Sequence, residues 1–518
     1  MKKIQFFSTI ALMAMAAGVM TSCGDDDASS EVTGSAINIL YAGKSVDAPL
    51  EFSLGGGFQM ISVDCDGDWT AEISDASIEY NPNDSVQLAD NARWIAISNH
   101  AGYPSYYSVA DNDSVKHTSW IKVQFKYNES EDRTAVINFK TGDVTKQITI
   151  TQQGAGADAG DFFQTAYQFR ESIGIGYNLG NTLDSDPELT ASTKKWFKDW
   201  ENDLAWEKVW GQPITTPEII EEIVGKGFNV IRVPVTWFPH MDINEDNTVT
   251  VHEVWMDRVQ EVVDYVINAG AYCILNVQHD SGARNGRTDG AGWVQANMDE
   301  YPVMTVKFQS LWKQIAERFR DYDEHLLFEA FNEILDADDE WNADPKADAF
   351  EAIYRLEQDF VNSVRATGGN NEYRNLVINT YSAGHTQAKL DGFRVPNDVH
   401  RAHLLASIHS YDPYGFCNEA DEWDIYNFDD NCRKQIDELF SRIHNRFNYL
   451  GIPYIFGEFG ALDDNKDMGE RIKYAQYMVQ KYQDYGTKGL WWMGLIDRAE
   501  LDWYEPEIVE AITAPYAK

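Results

Sequence analysis

The chain has 518 residues, of which 43% are hydrophobic and 24% charged, a composition typical of folded globular domains rather than of disordered or low-complexity chains. Its 83 acidic residues outnumber the 42 basic ones and leave a net charge of −41. A surface this acidic repels phosphate backbones, so we expect no nucleic-acid partner. The length allows two or three domains, because one α/β barrel can take up 250 residues or more.

The first 22 residues predict an export signal. Two lysines precede an apolar run over residues 6–20, which has the length of a signal peptide and is too short to span a bilayer. The run leads into Met-Thr-Ser-Cys and then Gly-Asp-Asp-Asp, which resembles the start of a Bacteroidetes-type lipoprotein. This resemblance implies a signal peptide over 1–22, an acylated Cys23, and an acidic tether over 23–35 that holds the protein at the outer-membrane surface. An ordinary cleaved signal peptide is the alternative.

The remaining cysteines, Cys65, Cys273, Cys417 and Cys432, show no spacing typical of a zinc site. Cys273 stands in an apolar strand pattern and is predicted to be a buried thiol. Cys417 and Cys432 are close enough in sequence to pair outside the cytoplasm, and the sequence leaves that disulfide open.

Residues 36–153 predict a small all-β sandwich of immunoglobulin-like type. Polar and apolar residues alternate there, as in Ile-Lys-Val-Gln-Phe-Lys-Tyr over residues 121–127, which is typical of half-buried antiparallel strands. Asp68-Trp69, the strand pattern 94–98 and the closing segment 148–154 resemble a BACON module. The resemblance implies an accessory domain that either binds glycan or acts as a spacer. A glycine- and alanine-rich linker follows over 154–161.

Residues 162–518 predict a (β/α)8 TIM barrel. Apolar strand patterns alternate with amphipathic helical patterns, which is the signature of repeated βα units on a parallel sheet. Eight such units fit a closed barrel better than an open sheet. The predicted strands are 173–183, 229–237, 272–279, 326–334, 376–381, 403–411, 454–459 and 490–496.

Polar residues stand at the carboxyl ends of these predicted strands, where a (β/α)8 barrel places its chemistry. They are Asn178, Asn181, Arg232, Gln278, His279, Asn332, Glu333, His409, Tyr411, Glu458 and Trp492. We expect all of them to meet at one barrel mouth. Glu333 and Glu458 each follow an apolar run, so each carboxylate must face a cleft or have a partner, because burying it alone is costly.

Two facing carboxyl groups suit glycoside hydrolysis, in which one protonates the departing oxygen and the other attacks the anomeric carbon. Their mutual repulsion raises one pKa, while pairing with Arg232 keeps the other group ionised. Two barrel-mouth glutamates held in salt bridges are the structural alternative. Catalysis by two carboxylates needs no cofactor, and the histidines show no metal-binding spacing, so we expect neither a cofactor nor a catalytic metal.

The ordered motifs of this region resemble glycoside hydrolase family 5, and the match extends from Asp161 to the C-terminus. They are Gly176-Tyr-Asn-Leu-Gly-Asn-Thr-Leu183, Ile231-Arg-Val-Pro-Val-Thr-Trp237, Phe331-Asn332-Glu333 and Gly457-Glu458-Phe459-Gly460. The segment Trp-Gly-Gln-Pro at 210–213 resembles subfamily 4, which holds endo-glucanases and xyloglucanases.

The resemblance implies that Glu333 is the acid/base and Glu458 the nucleophile. It also implies that Asn332 holds the sugar 2-hydroxyl and that Trp492 stacks on the −1 sugar. Arg232 and Tyr411 are then contacts of the nucleophile, and His409 contacts the acid/base region. His279 and Asn181 complete the set of expected substrate contacts.

The sequence departs from the family at two places. Gln278 stands where the family has the first of two histidines, and His279 is the candidate to replace it. Met493-Gly494 stands where the family has Asp-Asn after the tryptophan of the eighth strand, which leaves a more apolar wall. Neither departure touches the two glutamates, so we expect both to tune substrate contacts.

The resulting hypothesis is a monomeric, surface-anchored, retaining endo-β-1,4-glucanase acting on plant cell-wall β-glucan, xyloglucan first among the candidates. Cellulose, mixed-linkage glucan and mannan fit the same residues, and a non-catalytic glycan-binding surface protein is the competing class. The membrane is expected as a partner only through the N-terminal lipid. Tryptophans 196, 200 and 206, together with Trp293, Tyr414 and Trp423, are either sugar platforms or packing residues.

Overall fold

The computed structural model describes residues 35–41, 44–52, 57–73, 94–97, 101–102, 106–109, 113–116, 119–125, 132–152, 163–341, 345–418, 425–462 and 466–517. The predicted signal peptide, the lipidation site Cys23, nearly all of the tether, the linker and Trp423 lie outside these residues. Within the described part of the chain, no helix is both long and apolar enough to cross a membrane.

The N-terminal part forms two five-stranded sheets, in the orders β2-β1-β4-β10-β6 and β3-β12-β11-β5-β7, beside a hairpin of β8 and β9. Alternate residues of β11 and β12, such as Ile137, Phe139, Ile148 and Ile150, are buried in a shared core. This confirms the predicted all-β domain. The strands are β1 Ile37–Tyr41, β2 Lys44–Ser45, β3 Leu50–Phe52, β4 Gly57–Cys65, β5 Trp69–Ile73, β6 Ile95–Ile97, β7 Ala101–Gly102, β8 Tyr106–Val109, β9 Asp113–Lys116, β10 Ser119–Phe125, β11 Arg133–Thr141 and β12 Val144–Gln152.

The C-terminal part contains a closed barrel of eight strands, and neighbouring strands are parallel throughout. All eight predicted strands are confirmed, although most are shorter than predicted, because their polar ends turn away into the loops at the barrel mouth. The barrel strands are β13 Gly176–Asn178, β14 Val230–Val233, β17 Tyr272–Asn276, β18 Leu326–Glu329, β19 Leu376–Asn379, β20 Leu404–His409, β21 Tyr454–Phe459 and β22 Gly489–Trp492.

Helices and short hairpins connect these strands. Apolar faces of the long helices pack on the outside of the barrel, as Trp255, Val259 and Val262 do from α4. The hairpin strands are β15 Met241–Ile243, β16 Val249–Val251, β23 Ile496–Asp497 and β24 Asp502–Trp503. The helices are α1 Ala166–Ser172, α2 Thr193–Trp196, α3 Pro217–Gly225, α4 Glu253–Asn268, α5 Tyr301–Arg318, α6 Ala347–Arg365, α7 Gln387–Gly392, α8 Tyr414–Cys417, α9 Asp430–Leu450, α10 Met468–Asp484 and α11 Pro506–Thr513.

Two layers of inward-facing side chains fill the barrel. An apolar layer closes its interior toward the amino ends and includes Val230, Ile274, Leu327, Val377, Leu405, Ile455 and Leu490. Side chains alternate along a strand, so the residues two positions later point inward again, one layer nearer the mouth. They are fully buried yet polar: Arg232, Asn276, Glu329, Asn379 and Ser407, joined by Asn178 from β13. Buried polar side chains need hydrogen-bond partners. The hydrogen bonds of this polar layer form the base of the candidate active site.

The two parts of the chain touch at the amino end of the barrel. Gln59 of β4 donates from Nε2 to Oδ2 of Asp323 at 2.5 Å, and Tyr41 donates to Gln59 at 2.8 Å. Asp323 lies three residues before β18 begins. The described contact is therefore at the end of the barrel opposite the carboxyl ends of its strands.

The four described cysteines are buried free thiols, including Cys273 as predicted. The disulfide left open for Cys417 and Cys432 is not formed in this structure. Burial raises the pKa of the Cys417 thiol.

Candidate active site

Arg232 stands at the centre of the polar layer and bonds to four side chains. Its Nε donates to Glu329 at 2.6 Å, Nη1 donates to Asn178 and Glu458 at 3.0 Å each, and Nη2 donates to Asn332 at 2.8 Å. The planar guanidinium presents its donors in a fixed fork, so these bonds hold their partners in one relative arrangement. Residues from β13, β14, β18 and β21 are thereby locked together.

Glu458, on β21, is enclosed by groups that orient its carboxylate. Tyr411 donates its hydroxyl to Oε2 at 2.8 Å, while Arg232 occupies Oε1 at 3.0 Å. His409, from the end of β20, places Nδ1 3.6 Å from Oε1. Both oxygens are thus engaged by donors, which favours the ionised form of the group.

Glu333 faces Glu458 across the mouth. Its Oε1 accepts a hydrogen bond from Nδ1 of His409 at 2.8 Å. One oxygen of each glutamate and Nδ1 of His409 lie within 4.8 Å of one another. The Glu333 side chain is 21% exposed against 7% for Glu458, so Glu333 can exchange a proton with solvent more readily. Among the described residues, these three are the one group close enough together to act as metal ligands.

Burial and neighbouring charges shift the pKa values of Glu458 and His409 in opposite directions. Burial raises the pKa of Glu458, and the pKa remains above its usual value although His409 and Arg232 lower it. Burial would lower the pKa of His409, but the facing Glu458 and Glu333 outweigh it and the pKa is raised. Burial and the neighbouring Glu458 raise the pKa of Tyr411 well above its usual range, which keeps its hydroxyl a donor. The charge on Glu458 and the charge on His409 therefore stabilise each other.

The close approach of β20 and β21 requires glycine at position 457. A Cβ built there would lie 2.3 Å from Oγ of Ser407 and 3.0 Å from Nε2 of His409. The Gly457 carbonyl also accepts a hydrogen bond from Nδ2 of Asn178 at 2.9 Å. The residue next to Glu458 is therefore fixed from both sides, which sets the position of that carboxylate.

The segment after β17, which contains Gln278 and His279, is held to that strand by a side-chain hydrogen bond. Gln278 accepts from Nδ2 of Asn276 at 2.6 Å, and it is buried. His279 lies edge-on to Trp210, with ring centroids 5.5 Å apart. Burial lowers the pKa of His279 to about 4, so its ring is neutral at neutral pH. Glu333 is among the charges that act on His279, which places His279 on the Glu333 side of the site.

Trp492, at the end of β22, packs over the loop after β13. A Cβ built on Gly180 would lie 2.9 Å from its ring, and Asn181 is the next residue, with a positive φ of 62°. Trp492, Met493 and Gly494 line a cavity that Tyr411 also lines. Trp492 therefore reaches the same mouth as the glutamates, whereas Asn181 borders it without a described bond to them.

The aromatic residues of the loops divide into two groups. Trp206 is buried against Phe197 and His240, and Trp293 donates to Asp280 at 2.6 Å, so both serve packing. Large exposed aromatic surfaces remain on the loops at the carboxyl ends of the strands. They belong to Trp196, Trp341, Tyr414 and Tyr504.

Sequence reasoning missed Glu329. The sequence pattern places Glu329 inside the apolar run before Glu333. In the structure it is fully buried, pairs with Arg232 and accepts from Nδ2 of Asn379 at 2.9 Å. A signal was present, because a charged residue in an otherwise apolar strand needs a buried partner. The partner itself could not be read from the sequence.

Family models match both parts of the chain. The model described as cellulase (glycosyl hydrolase family 5) matches residues 190–494. The BACON model, for an N-terminal binding domain, matches residues 84–153. Endoglucanase A of Clostridium longisporum is 31% identical over a region that covers 68% of this chain and 66% of that protein. The chain thus spans about two thirds of that relative.

Solved structures resemble the barrel closely. PbGH5A, a glycoside hydrolase family 5 enzyme from Prevotella bryantii, is 37% identical with a TM-score of 0.61, over 68% of this chain and 99% of that one. A mutant of that enzyme has been crystallised with a xyloglucan tetradecasaccharide. XEG5A, a xyloglucan-specific endo-β-1,4-glucanase from a metagenomic library, is 29% identical with a TM-score of 0.60, over 68% of this chain and 98% of that one.

Proposed function

The chain belongs to glycosyl hydrolase family 5, the cellulase family, and we propose that it is a retaining endo-β-1,4-glucanase of plant cell-wall β-glucan, with xyloglucan its preferred substrate. One observation carries the mechanism: oxygens of Glu333 and Glu458 lie within 4.8 Å of each other. Retaining glycosidases hold their carboxyl groups about 5–5.5 Å apart, whereas inverting enzymes need about 6.5–9.5 Å to admit a water. A gap this short favours the retaining arrangement.

In the first step, Glu458 attacks the anomeric carbon and Glu333 protonates the glycosidic oxygen. The bond between that carbon and the leaving oxygen breaks as the bond to a Glu458 oxygen forms, which gives a covalent glycosyl-enzyme of inverted configuration. Tyr411 and Arg232 aim the nucleophile, because each engages a different oxygen of Glu458.

In the second step, the ionised Glu333 takes a proton from a water as that water attacks the same carbon. The bond to Glu458 breaks, the nucleophile is released as a carboxylate, and the original β configuration is restored. His409 donates to Glu333 at 2.8 Å. It therefore stabilises the carboxylate form that this step requires.

The remaining site residues bind the sugar in this proposal. Arg232 fixes the Asn332 amide oxygen at 2.8 Å, which leaves the amide nitrogen free to turn toward the 2-hydroxyl. Trp492 offers a ring face for the −1 sugar, with Asn181 and His279 bordering the same mouth. This assignment follows the family motifs that these positions match.

Xyloglucan is favoured over linear glucans by two lines of support. Of the similar structures, one is a PbGH5A mutant in complex with a xyloglucan tetradecasaccharide, and another is XEG5A, a xyloglucan-specific endo-β-1,4-glucanase. The mouth also carries exposed aromatic side chains, Trp341 on one side and Tyr504 on the other, beside an open cavity of about 540 Å³ next to Trp492. A branched chain needs such an open cleft rather than a tunnel.

A panel of polysaccharides tests this proposal. The chain from Gly24 onward is incubated with xyloglucan, carboxymethylcellulose, barley β-glucan and glucomannan, and the products are identified by mass. We expect the fastest release from xyloglucan, as xylose-bearing oligosaccharides. Faster release from another glucan would change the substrate and keep the mechanism, whereas no release from any glucan would favour a glycan-binding protein.

The nucleophile is tested separately with Glu458→Gln. This variant keeps the shape of the side chain and removes its charge, so turnover should vanish while binding to the best substrate persists in affinity electrophoresis. Retained turnover would remove Glu458 from the nucleophile role.

We also propose that the protein is a monomeric outer-membrane lipoprotein in which the β-sandwich acts as a spacer. The lipid on Cys23 would anchor the chain, and the sandwich contacts the barrel through Gln59 and Asp323, at the end away from the glutamates. Cys23→Ala should release the enzyme from the cell envelope. Retardation of residues 34–153 on any plant glucan in affinity electrophoresis would contradict the spacer role.

A further inference from the structure

Glu329 is a second carboxylate on Arg232. It accepts from Nε at 2.6 Å, while Glu458 accepts from Nη1 at 3.0 Å. The side chains of Arg232 and Glu329 are each 1% exposed, so solvent does not screen their interaction. Asn379 donates to the other oxygen of Glu329 at 2.9 Å and fixes it from β19. One cation is therefore shared between two carboxylates.

We propose that Glu329 is a positioning residue for the glycosidase reaction, which holds the Arg232 guanidinium in place and offsets its charge so that Glu458 stays nucleophilic. Being buried beneath Arg232, Glu329 acts through it rather than on the sugar. The proposal rests on the function proposed above, in which Glu458 attacks the anomeric carbon.

Charged and titratable groups face Glu458 from several elements of the barrel. Arg232 comes from β14, Glu333 from the loop after β18, His409 from β20 and Tyr411 from the loop that follows β20. An arginine beside a single carboxylate lowers its pKa by about 1–3 units. Because Glu329 already pairs with Arg232, the two together carry no net charge, and the effect of Arg232 on Glu458 is weakened.

The balance between burial and neighbouring charges at Glu458 agrees with a weakened effect of Arg232. The pKa of Glu458 stays above the usual value, chiefly through burial, although both Arg232 and His409 act to lower it. Nucleophilicity falls as the pKa of the attacking group falls. An unshared arginine would therefore leave Glu458 ionised but less reactive.

Glu329 also helps to orient the Arg232 guanidinium. Its two Nη atoms serve Asn178, Glu458 and Asn332, and only Nε faces Glu329. Without Glu329 the guanidinium loses its partner at Nε and is held only through its two Nη atoms, so its orientation is less tightly fixed. A misplacement of about 1 Å in a catalytic group costs on the order of 10²-fold in rate.

The test compares Glu329→Gln with the matched control Glu357→Gln in the full chain. Glu357 is also fully buried, and its Oε1 accepts from the backbone N–H of Asn379 at 2.8 Å, without a described contact to Arg232. Burial raises the pKa of Glu357 well above its usual value, so glutamine mimics its protonated form. Both variants thus remove one buried carboxyl group beside the same asparagine.

We measure kcat and KM across pH on the best substrate of the panel. Glu329→Gln should lower kcat by about 10²-fold, leave KM unchanged, and move the acidic limb of kcat/KM down by about 1 unit. Glu357→Gln should match the wild type. An acidic limb that stays in place for Glu329→Gln, or the same shift in Glu357→Gln, overturns the proposal.

If Glu329→Gln does not fold, Glu329→Asp tests the positioning role of Glu329 instead. It keeps the charge and shortens the reach, so the acidic limb should stay in place while kcat falls; a moved limb or a wild-type kcat overturns the proposal. A wild-type chain that cleaves no glycan overturns the proposed function as well. An active wild type with an unmoved Glu329→Gln profile overturns this inference alone.

Discussion

Removing the Tyr411 hydroxyl should move the titration of Glu458 in a direction that can be worked out from the structure. Tyr411 donates to Oε2 of Glu458 at 2.8 Å in a buried site. A hydrogen bond to a charged group contributes about 1.5–3 kcal/mol. One pKa unit corresponds to about 1.36 kcal/mol, so Tyr411→Phe should raise the pKa of Glu458 by roughly 1–2 units. The sign is opposite to that expected for Glu329→Gln.

The assay is the pH dependence of kcat/KM, which reports the pKa values of the free enzyme. The acidic limb of Tyr411→Phe should lie roughly 1–2 units above that of the wild type. The control is Tyr322→Phe, which deletes a buried hydroxyl bonded to Asp264 outside the barrel mouth; it should lower stability without moving the limb. A Tyr411→Phe limb that coincides with the wild type, or lies below it, would refute the assigned role of this hydrogen bond.

Two further predictions concern stability. Gly457→Ala places a Cβ 2.3 Å from Oγ of Ser407, so denaturant unfolding should show a loss of stability of roughly 1–3 kcal/mol, and activity should be lost. The control Gly225→Ala adds a Cβ that meets no atom within 4 Å and should be tolerated; equal stability of the two variants would contradict this prediction. Burial and the nearby Asp186 raise the pKa of Asp280 from 3.8 to about 7, so the folded state binds the Asp280 proton more tightly than the unfolded state does. The stability it contributes is full below pH 3.8 and is lost as pH rises to about 7; Asp280→Asn should flatten that part of the stability profile, and an unchanged slope would argue against it.

Sequence patterns predicted the barrel because its strands are buried on both faces. Apolar runs such as 272–277 end in polar residues, and both features are visible without a structure. The lengths were less predictable. The run through Asn332 and Glu333 looks continuous, but the strand ends at Glu329 because the following residues turn into the mouth.

The sequence predicted the site residues at the barrel mouth. It did not predict the buried residues beneath them that hold Arg232. Glu333, His409, Tyr411 and Glu458 each stand near the end of a predicted strand, so their convergence follows from the fold. Glu329 contacts Arg232 across 97 positions of sequence, a pairing that only the barrel register creates.

The contact between the β-sandwich and the barrel was also not predictable from the sequence. Gln59 reaches Asp323 across 264 positions, and both residues look like ordinary surface polar groups in the sequence. Polar residues on strand edges and in turns carry no periodic signal that identifies their partners. The sequence therefore left the choice between spacer and glycan-binding module open.

The central claim is that Glu458 attacks the sugar directly across the short gap from Glu333. The most direct test is proton NMR of the freshly cleaved reducing end, recorded before mutarotation, on the best substrate of the panel. The account predicts that the β-anomer appears first and the α-anomer grows in later. An α-anomer that appears first would mean a single displacement by water and would contradict the account.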